Sequence, residues 1–418
     1  MRHQNLKRYR VFYGWWVVGA CSSAMLFTAG VIHFGFTAIF EPIAREFGWG
    51  YAQVSMASSL RGIEIGLLSP ITGLLVDLWG PRKLIFGGAV ITGIGLVLLS
   101  RITSLGMFYG AFILIAVGMS TSSHTVMMTA VSNWFRRKLS LAMGIMASGV
   151  ALGGLLIPLI VMLIDLRGWR SAMFIFGVST WAIVIPISLF IRHKPEQYDY
   201  LPDGEESNTD PINHGAGPAQ GIEVNIQPRE ALASRTFWHI ALAFACYSFV
   251  IQAVVTHVMP YLSSIGINRT ASSFVAGALP LASILGRLSF GWFGDRLKKK
   301  RLSVAGFAIM GFGLIFFDFA YSGQAWLLTL FLVFFGIGWG GNVTMRAALL
   351  RECFGRERFG TIYGFITGVM MLGSIAGAPV VGWVFDTWGS YQGVWFALTG
   401  LIMAAMIIIS TTPKISFK

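Results

Sequence analysis

Twelve mostly apolar runs recur along the chain, at 12–40, 51–76, 84–100, 105–132, 139–164, 170–191, 236–263, 271–294, 302–320, 324–345, 359–385 and 391–411. A helix that crosses the hydrocarbon core of a bilayer needs roughly 20 such residues. Nothing between the runs is long enough to build a water-soluble core. Charged residues are only 12% of the 418, about half the share that coats a soluble domain. That balance excludes both a string of soluble domains and a disordered chain. Three scattered cysteines, Cys21, Cys246 and Cys353, exclude a disulfide framework and a zinc site. The class is an all-α membrane protein with twelve transmembrane helices.

The longest polar stretch, 192–235, carries five prolines and eight acids against four basic residues. It cannot bury enough apolar surface to fold alone, and reads as a flexible cytoplasmic linker, residues 193–234. It divides the chain into two six-helix bundles, residues 1–192 and 235–418. Lys and Arg set the orientation. With the N-terminus inside, 24 of the 31 basic residues fall on the cytoplasmic side, five outside and two, Arg61 and Arg287, within spans. Both termini are therefore expected in the cytoplasm. The net charge of +13 follows from this bias, so it does not point to nucleic acid.

The halves repeat. Gly73-Leu-Leu-Val-Asp77-Leu-Trp-Gly80-Pro-Arg82-Lys83 follows the second run, and Gly291-Trp-Phe-Gly-Asp295-Arg296 follows the eighth, at an Asp-to-Asp offset of 218. Gly144 and Gly153 in the fifth run match Gly364 and Gly373 in the eleventh at an offset of 220. Shared offsets at independent landmarks imply two homologous halves in parallel. Paired halves suit a transporter that binds substrate near the midplane where they meet. Small residues let helices approach closely in lipid.

An ionisable side chain at membrane depth is a functional candidate by default. Arg287 stands eight residues before Asp295, about 12 Å into the membrane from that edge. No acid lies within four positions of it on its own helix. A guanidinium so placed calls for an anion, and its fork matches a carboxylate. Arg61 and Glu64, three apart, share a helix face and can pair; protonation of Glu64 would free Arg61 and tie a proton to helix movement. His33 and His257 occupy similar outer-half depths in the first and seventh runs, and His124 lies near mid-depth in the fourth. A near-neutral pKa makes histidine a candidate proton carrier, and His124 is the one expected to touch substrate. Asn342 is a further candidate for orienting the substrate, although a helix-to-helix hydrogen bond explains it equally well. Asp318, Arg346 and His239 stand near run ends, where an interfacial place is expected. Gly336-Ile-Gly338-Trp-Gly340-Gly341 fits a dinucleotide fingerprint but lies in an apolar run with no strand before it. No nucleophile–base arrangement, metal cluster or phosphate loop stands out, so neither an enzyme nor a cofactor or metal is expected.

The Gly-x3-Asp-x2-Gly-x-Arg-Lys stretch resembles the loop between helices two and three of the major facilitator superfamily, and its second copy strengthens the likeness. The resemblance implies the major facilitator fold of two pseudo-symmetric six-helix bundles. It also implies that Asp77, Arg82, Lys83, Asp295 and Arg296 serve gating, the aspartates meeting helix N-termini and latching the outward-open state. Lys298 departs from the family's Gly or Ser and is expected to weaken the second turn. Tyr13-Gly14-Trp15-Trp16, Asn133-Trp134-Phe135-Arg136-Arg137-Lys138, Arg235-Thr236-Phe237-Trp238 and Gly286-Arg287 are similar to the monocarboxylate porter and oxalate:formate antiporter branch. There the helix-eight arginine binds the substrate carboxylate, which implies that role for Arg287. Oxalate transporters of the branch carry a helix-eleven lysine after Tyr-Gly-Phe. Here Tyr363-Gly364-Phe365 is followed by none, and one buried arginine without a second strong cation suits a monocarboxylate such as lactate or pyruvate.

The expectation is a monomeric secondary transporter of a small organic monocarboxylate, coupled to a proton. It would sit multi-pass in a bacterial inner membrane with the lipid bilayer around it. Arg287 would bind the carboxylate, with His124, His257, His33 and Asn342 lining the path. Export of a hydrophobic metabolite or drug, or an oxalate/formate-type exchange, is the alternative.

Overall fold

Backbone polar groups find no water inside a bilayer, so a chain of this composition must satisfy them within helices. The computed structural model describes residues 12–49, 53, 67–198, 200–204, 226–267, 269–320, 325–388, 390–391 and 393–413, and its regular elements there are all helical. Helix α1 (Tyr13–Thr28) runs through a π-helical turn, Ala29–Phe34, into α2 (Gly35–Phe47). Helix α3 (Leu67–Trp79) and α4 (Pro81–Leu99) follow, then α5 (Leu105–Thr121), α6 (His124–Trp134), α7 (Leu139–Gly153) and α8 (Ile157–Phe190). After the short α9 (Pro228–Ala233) come α10 (Arg235–Ser264), α11 (Arg269–Gly294), α12 (Lys299–Asp318), α13 (Ala325–Phe354), α14 (Phe359–Trp388) and α15 (Val394–Ser410). Nine helical stretches among the described residues are long and apolar enough to cross a membrane; α3 and α15 are shorter apolar helices. The longest stretch, Leu139–Phe190, bends at Gly168, whose φ of 77° only glycine adopts readily.

One expected continuous span is broken. The run 105–132 divides after Thr121, and α6 restarts at His124 behind an extended Ser123. At the break the Thr121 hydroxyl bonds back to the Gly118 carbonyl at 2.9 Å and Ser122 Oγ reaches the Ile85 carbonyl of α4 at 3.3 Å. Hydroxyl side chains offer the backbone an alternative to helix continuation. His124 is thereby placed at the first turn of a helix in the membrane interior.

The repeated glycines sort into two kinds of close approach. A Cβ on Gly144 would strike the backbone of Arg287, and one on Gly364 would strike that of Ser69, so this pair sits where helices of different halves touch. A Cβ on Gly153 would meet Gly30 and Leu26, and one on Gly373 would meet Ala245, so this pair packs helices within one half. The dinucleotide-like glycines do the same work: Gly336 and Gly340 face Ala282 and Ser283 on α11, and Gly338 faces Met310 on α12.

Both described ends of the polar linker are docked, while residues 205–225 of the expected flexible segment over 193–234 lie outside the described residues. Asp203 accepts from the backbone amides of Arg136 and Arg137 at 2.9 and 2.8 Å. At the other end, Ile226 N donates to the Phe354 carbonyl at 3.2 Å. Asp203 Oδ2 is thus held by the loop before α7, while its Oδ1 has no partner among the described residues. Lys298 needs no glycine either: Gly80 turns with φ 81°, but Lys298, 218 residues on, sits at φ −63°, ψ 118°. The expected weakness of the second turn is absent because its backbone takes another route.

Candidate functional site

Helices α6, α7, α11, α13 and α14 enclose a chamber of ≈ 210 Å³ lined by His124, Thr125, Val150, Arg287, Val343, Arg346, Tyr363 and Thr367. It is smaller than the roughly 300–1,000 Å³ pockets of drug-sized ligands. Arg287 is 5% exposed. Its Nη1 donates to the Ala147 carbonyl on α7, while Nε is buried with no hydrogen-bond partner among the described residues. A buried charge normally comes with an opposite charge and full hydrogen bonding. No carboxylate lines the chamber among the described residues.

Arg346 corrects the sequence reading. It was expected at an interface, because the apolar run ends at 345. Instead α13 continues to Phe354, so Arg346 lies eight residues inside the helix end, as Arg287 lies inside the turn at Asp295. It is 8% exposed. Its Nε and Nη2 donate to the Tyr363 hydroxyl at 3.2 and 2.5 Å, and the guanidinium lies 5.0 Å from the Tyr363 ring centroid and 5.9 Å from that of Phe244. The Tyr363 hydroxyl, accepting from Arg346, keeps its own proton for His124 Nδ1 at 3.2 Å. His124 and Tyr363 therefore join the two halves across the chamber. The inference of a single buried cation, and the preference for one carboxylate drawn from it, lose their premise.

The remaining candidates lie elsewhere. His257 has both ring nitrogens engaged, with Tyr391 Oη at 3.0 Å and the Ala378 carbonyl at 2.9 Å. It ties α10 to α14 and does not line the chamber. Asn342 donates to the Gly338 carbonyl at 3.0 Å and lies against Gly306 of α12, so it faces a helix interface rather than the chamber. His33 falls in the π-helical turn, but its side chain is outside the described residues, as are Arg61 and Glu64. A second hollow of ≈ 260 Å³, mostly apolar, adjoins the chamber and shares His124 and Val150 with it.

The two motif aspartates each bond across the halves at the linker end. Asp77 accepts from Gly360 N at 3.1 Å, Thr361 N at 2.8 Å and Thr361 Oγ1 at 2.7 Å, at the start of α14. Asp295 accepts from Ser140 N at 2.7 Å and Leu141 N at 3.1 Å, at the start of α7. A carboxylate at a helix N-terminus meets unpaired amides and the positive dipole end, and each aspartate does so across the two halves. Burial nonetheless pushes the Asp295 carboxyl above its usual value, outweighing those amides. Arg82 and Lys83 are exposed at the first turn of α4. Arg296 folds back on its own helix, Nη1 donating to the Trp292 carbonyl at 3.0 Å with the guanidinium 3.6 Å from the ring centroid. None of these three basic residues touches a latch.

A third clasp went unnoticed in the sequence. Glu196 pairs bidentately with Arg356 at 2.7 Å, and Arg356 Nε reaches Asn133 Oδ1 at 3.3 Å. Burial pushes the Glu196 carboxyl up, but the hydrogen bond and charge of Arg356 outweigh it and hold the group below its usual value. His193, whose ring sits over Gly80, is pushed down to about 4 by burial first, then by Lys194 and Arg356.

The family model described as Major Facilitator Superfamily matches residues 18–268 and 258–414. Monocarboxylate transporter 12 of Xenopus laevis is 26% identical over 416 residues, covering 96% of this chain and 89% of the relative. Monocarboxylate transporter 2 of Homo sapiens is 22% identical, covering 97% and 86%. Among solved structures, the E. coli fucose:proton symporter superposes with a TM-score of 0.72 at 15% identity, covering 95% of this chain and 98% of that one. The human organic anion transporter MFSD10 gives 0.69 at 12% identity, covering 95% and 99%. These likenesses to solved structures carry the fold. The named monocarboxylate transporters are vertebrate proteins, which leaves the expected bacterial inner membrane without support.

Proposed function

Because the chain belongs to the Major Facilitator Superfamily and is a multi-pass membrane transporter, we propose that it carries a small organic carboxylate by alternating access, a reading that its relatives named monocarboxylate transporters support. Residues 1–192 and 235–418 rock against one another around the chamber. Twelve passes with both termini in the cytoplasm place the aspartate latches on the cytoplasmic side. Arg287 takes the carboxylate, and His124 orients it from the opposite half. The single observation that carries this reading is the Arg287 guanidinium, buried in a chamber without a carboxylate among the described residues and with its Nε unpartnered. An anion completes that hydrogen bonding; a cationic or neutral hydrophobic cargo does not.

Proton coupling belongs to the same proposal, with Glu64 as the proton-binding group and the carrier acting as a monomer. Uptake of labelled lactate or pyruvate into proteoliposomes, with and without an inward proton gradient, tests it. Arg287→Ala should abolish uptake. An Arg287→Ala protein that still accumulates either acid overturns the site, and a Glu64→Gln protein with unchanged pH dependence removes Glu64 from the coupling.

A further inference from the structure

Two guanidiniums, not one, open onto the same small chamber. Arg287 on α11 and Arg346 on α13 are both nine-tenths buried, and no carboxylate among the described lining residues neutralises either. Each is braced by the chain, Arg346 through all three nitrogens, with Nη1 on the Met370 sulfur at 2.7 Å. The Ala147 carbonyl holds one Arg287 nitrogen, and the Tyr363 hydroxyl with the Phe244 ring holds Arg346. Bracing presets the forks, so little freedom is lost when an anion binds. The Arg287 Nε is left over, buried and without a partner among the described residues. Like charges repel strongly in a low-dielectric chamber, and a ligand with one carboxylate compensates one of them only. A ligand with two relieves both desolvated cations at once. The ≈ 210 Å³ of space limits it to a short chain.

We propose that the chamber is a two-cation site for a short dicarboxylate, Arg287 taking one carboxylate and Arg346 the other. This rests on the carboxylate reading above and names its substrate class. Both cations belong to the half after the linker, so that half carries the charge recognition. His124, Thr125 and Val150 supply the wall that closes over the bound chain from the other half. The cargo is thus sorted by its second charge, with Arg346 as the residue that sorts.

The test is titration of the purified protein at pH 7.5 with malonate and succinate against propionate and butyrate, in wild type and Arg346→Gln. Wild type is expected to bind a diacid about tenfold or more tightly than the matching monoacid, as the loss of one charged hydrogen-bonding partner implies. Arg346→Gln is expected to erase that ratio, diacid and matching monoacid then binding within about threefold of each other. Diacids binding no better than monoacids in wild type overturn the proposal and leave the Arg287 reading standing. A ratio that survives in Arg346→Gln also overturns it. Failure of every acid to bind wild type overturns the carboxylate reading itself. Should Arg346→Gln not fold, Arg346→Lys replaces it. That variant keeps the charge but not the fork, and its ratio should narrow; a ratio as large as wild type removes Arg346 from recognition.

Discussion

The linker end and the central chamber handle charge in opposite ways. At the linker end Asp77, Asp295, Asp203 and Glu196 each accept from amides, a hydroxyl or a guanidinium that the chain itself supplies. In the chamber two guanidiniums face a cavity whose described lining offers no carboxylate. Charges answered from within hold a conformation. On the proposed reading, charges left for something else to answer hold a ligand that must leave again. The two arginines differ only in their bracing: the neutral Tyr363 hydroxyl holds Arg346, whereas the Arg287 Nε has no partner among the described residues.

Breaking the chamber side should produce the largest effect. Removing the Arg287 guanidinium deletes the partner of a buried charge, an interaction worth about 2–5 kcal/mol. Arg287→Ala is therefore expected to lower carboxylate uptake about a hundredfold or more, measured as initial rate in proteoliposomes. Next comes the contact between the halves. Gly144→Ala places a Cβ against the Arg287 backbone, and overpacking of this kind costs about 1–3 kcal/mol. The latched state should lose about tenfold in population, read as faster labelling of a cysteine placed at the linker end; unchanged labelling would mean that the halves do not close on Gly144.

The latches should differ from each other. Asp77 accepts three bonds and Asp295 two. In the same labelling assay Asp77→Asn should open the linker end by about tenfold and Asp295→Asn by less, since one charge-assisted hydrogen bond is worth about 1.5–3 kcal/mol. Equal effects would erase the asymmetry. The partly exposed Glu196–Arg356 pair is worth about 0.2–1 kcal/mol, so Glu196→Gln should shift labelling by about twofold or less, and the shift should vanish in high salt.

The smallest expected effect is one of pH. His193 titrates lower in the docked linker than in a released one, because burial and the neighbouring cations disfavour its charged form. Protons therefore bind the released form better, and docking stability is full above about pH 6.5 and declines as pH falls toward about 4. Glu196 acts in the same direction, its pairing lost as pH falls through its lowered value. Hydrogen exchange at residues 192–198, corrected for intrinsic rate, should rise over this window, and His193→Ala should flatten the rise.

Much of this was legible in the chain. The apolar runs, the repeated Asp77 and Asp295 loops and the lone depth of Arg287 follow from local composition and spacing, because lipid imposes helix length and penalises charge whatever the neighbours are. Arg346 was visible as a residue but misplaced. The basic residues Arg346 and Arg351 look like the exit from a membrane, and only the packing of α13 shows both buried on a helix that continues to Phe354. His257 and Asn342 went the other way. Their depth matched a cavity role, yet Tyr391 with Ala378, and Gly306, claim them from other helices. Helix formation and membrane residence are decided within about 20 neighbouring residues, and these the sequence determined by itself. Which face of a helix turns inward, where a helix stops and which partner meets a buried donor depend on residues hundreds of positions away. Only the assembled bundle decided those, since hydrogen bonds and close approach act between surfaces that the linear order does not bring together.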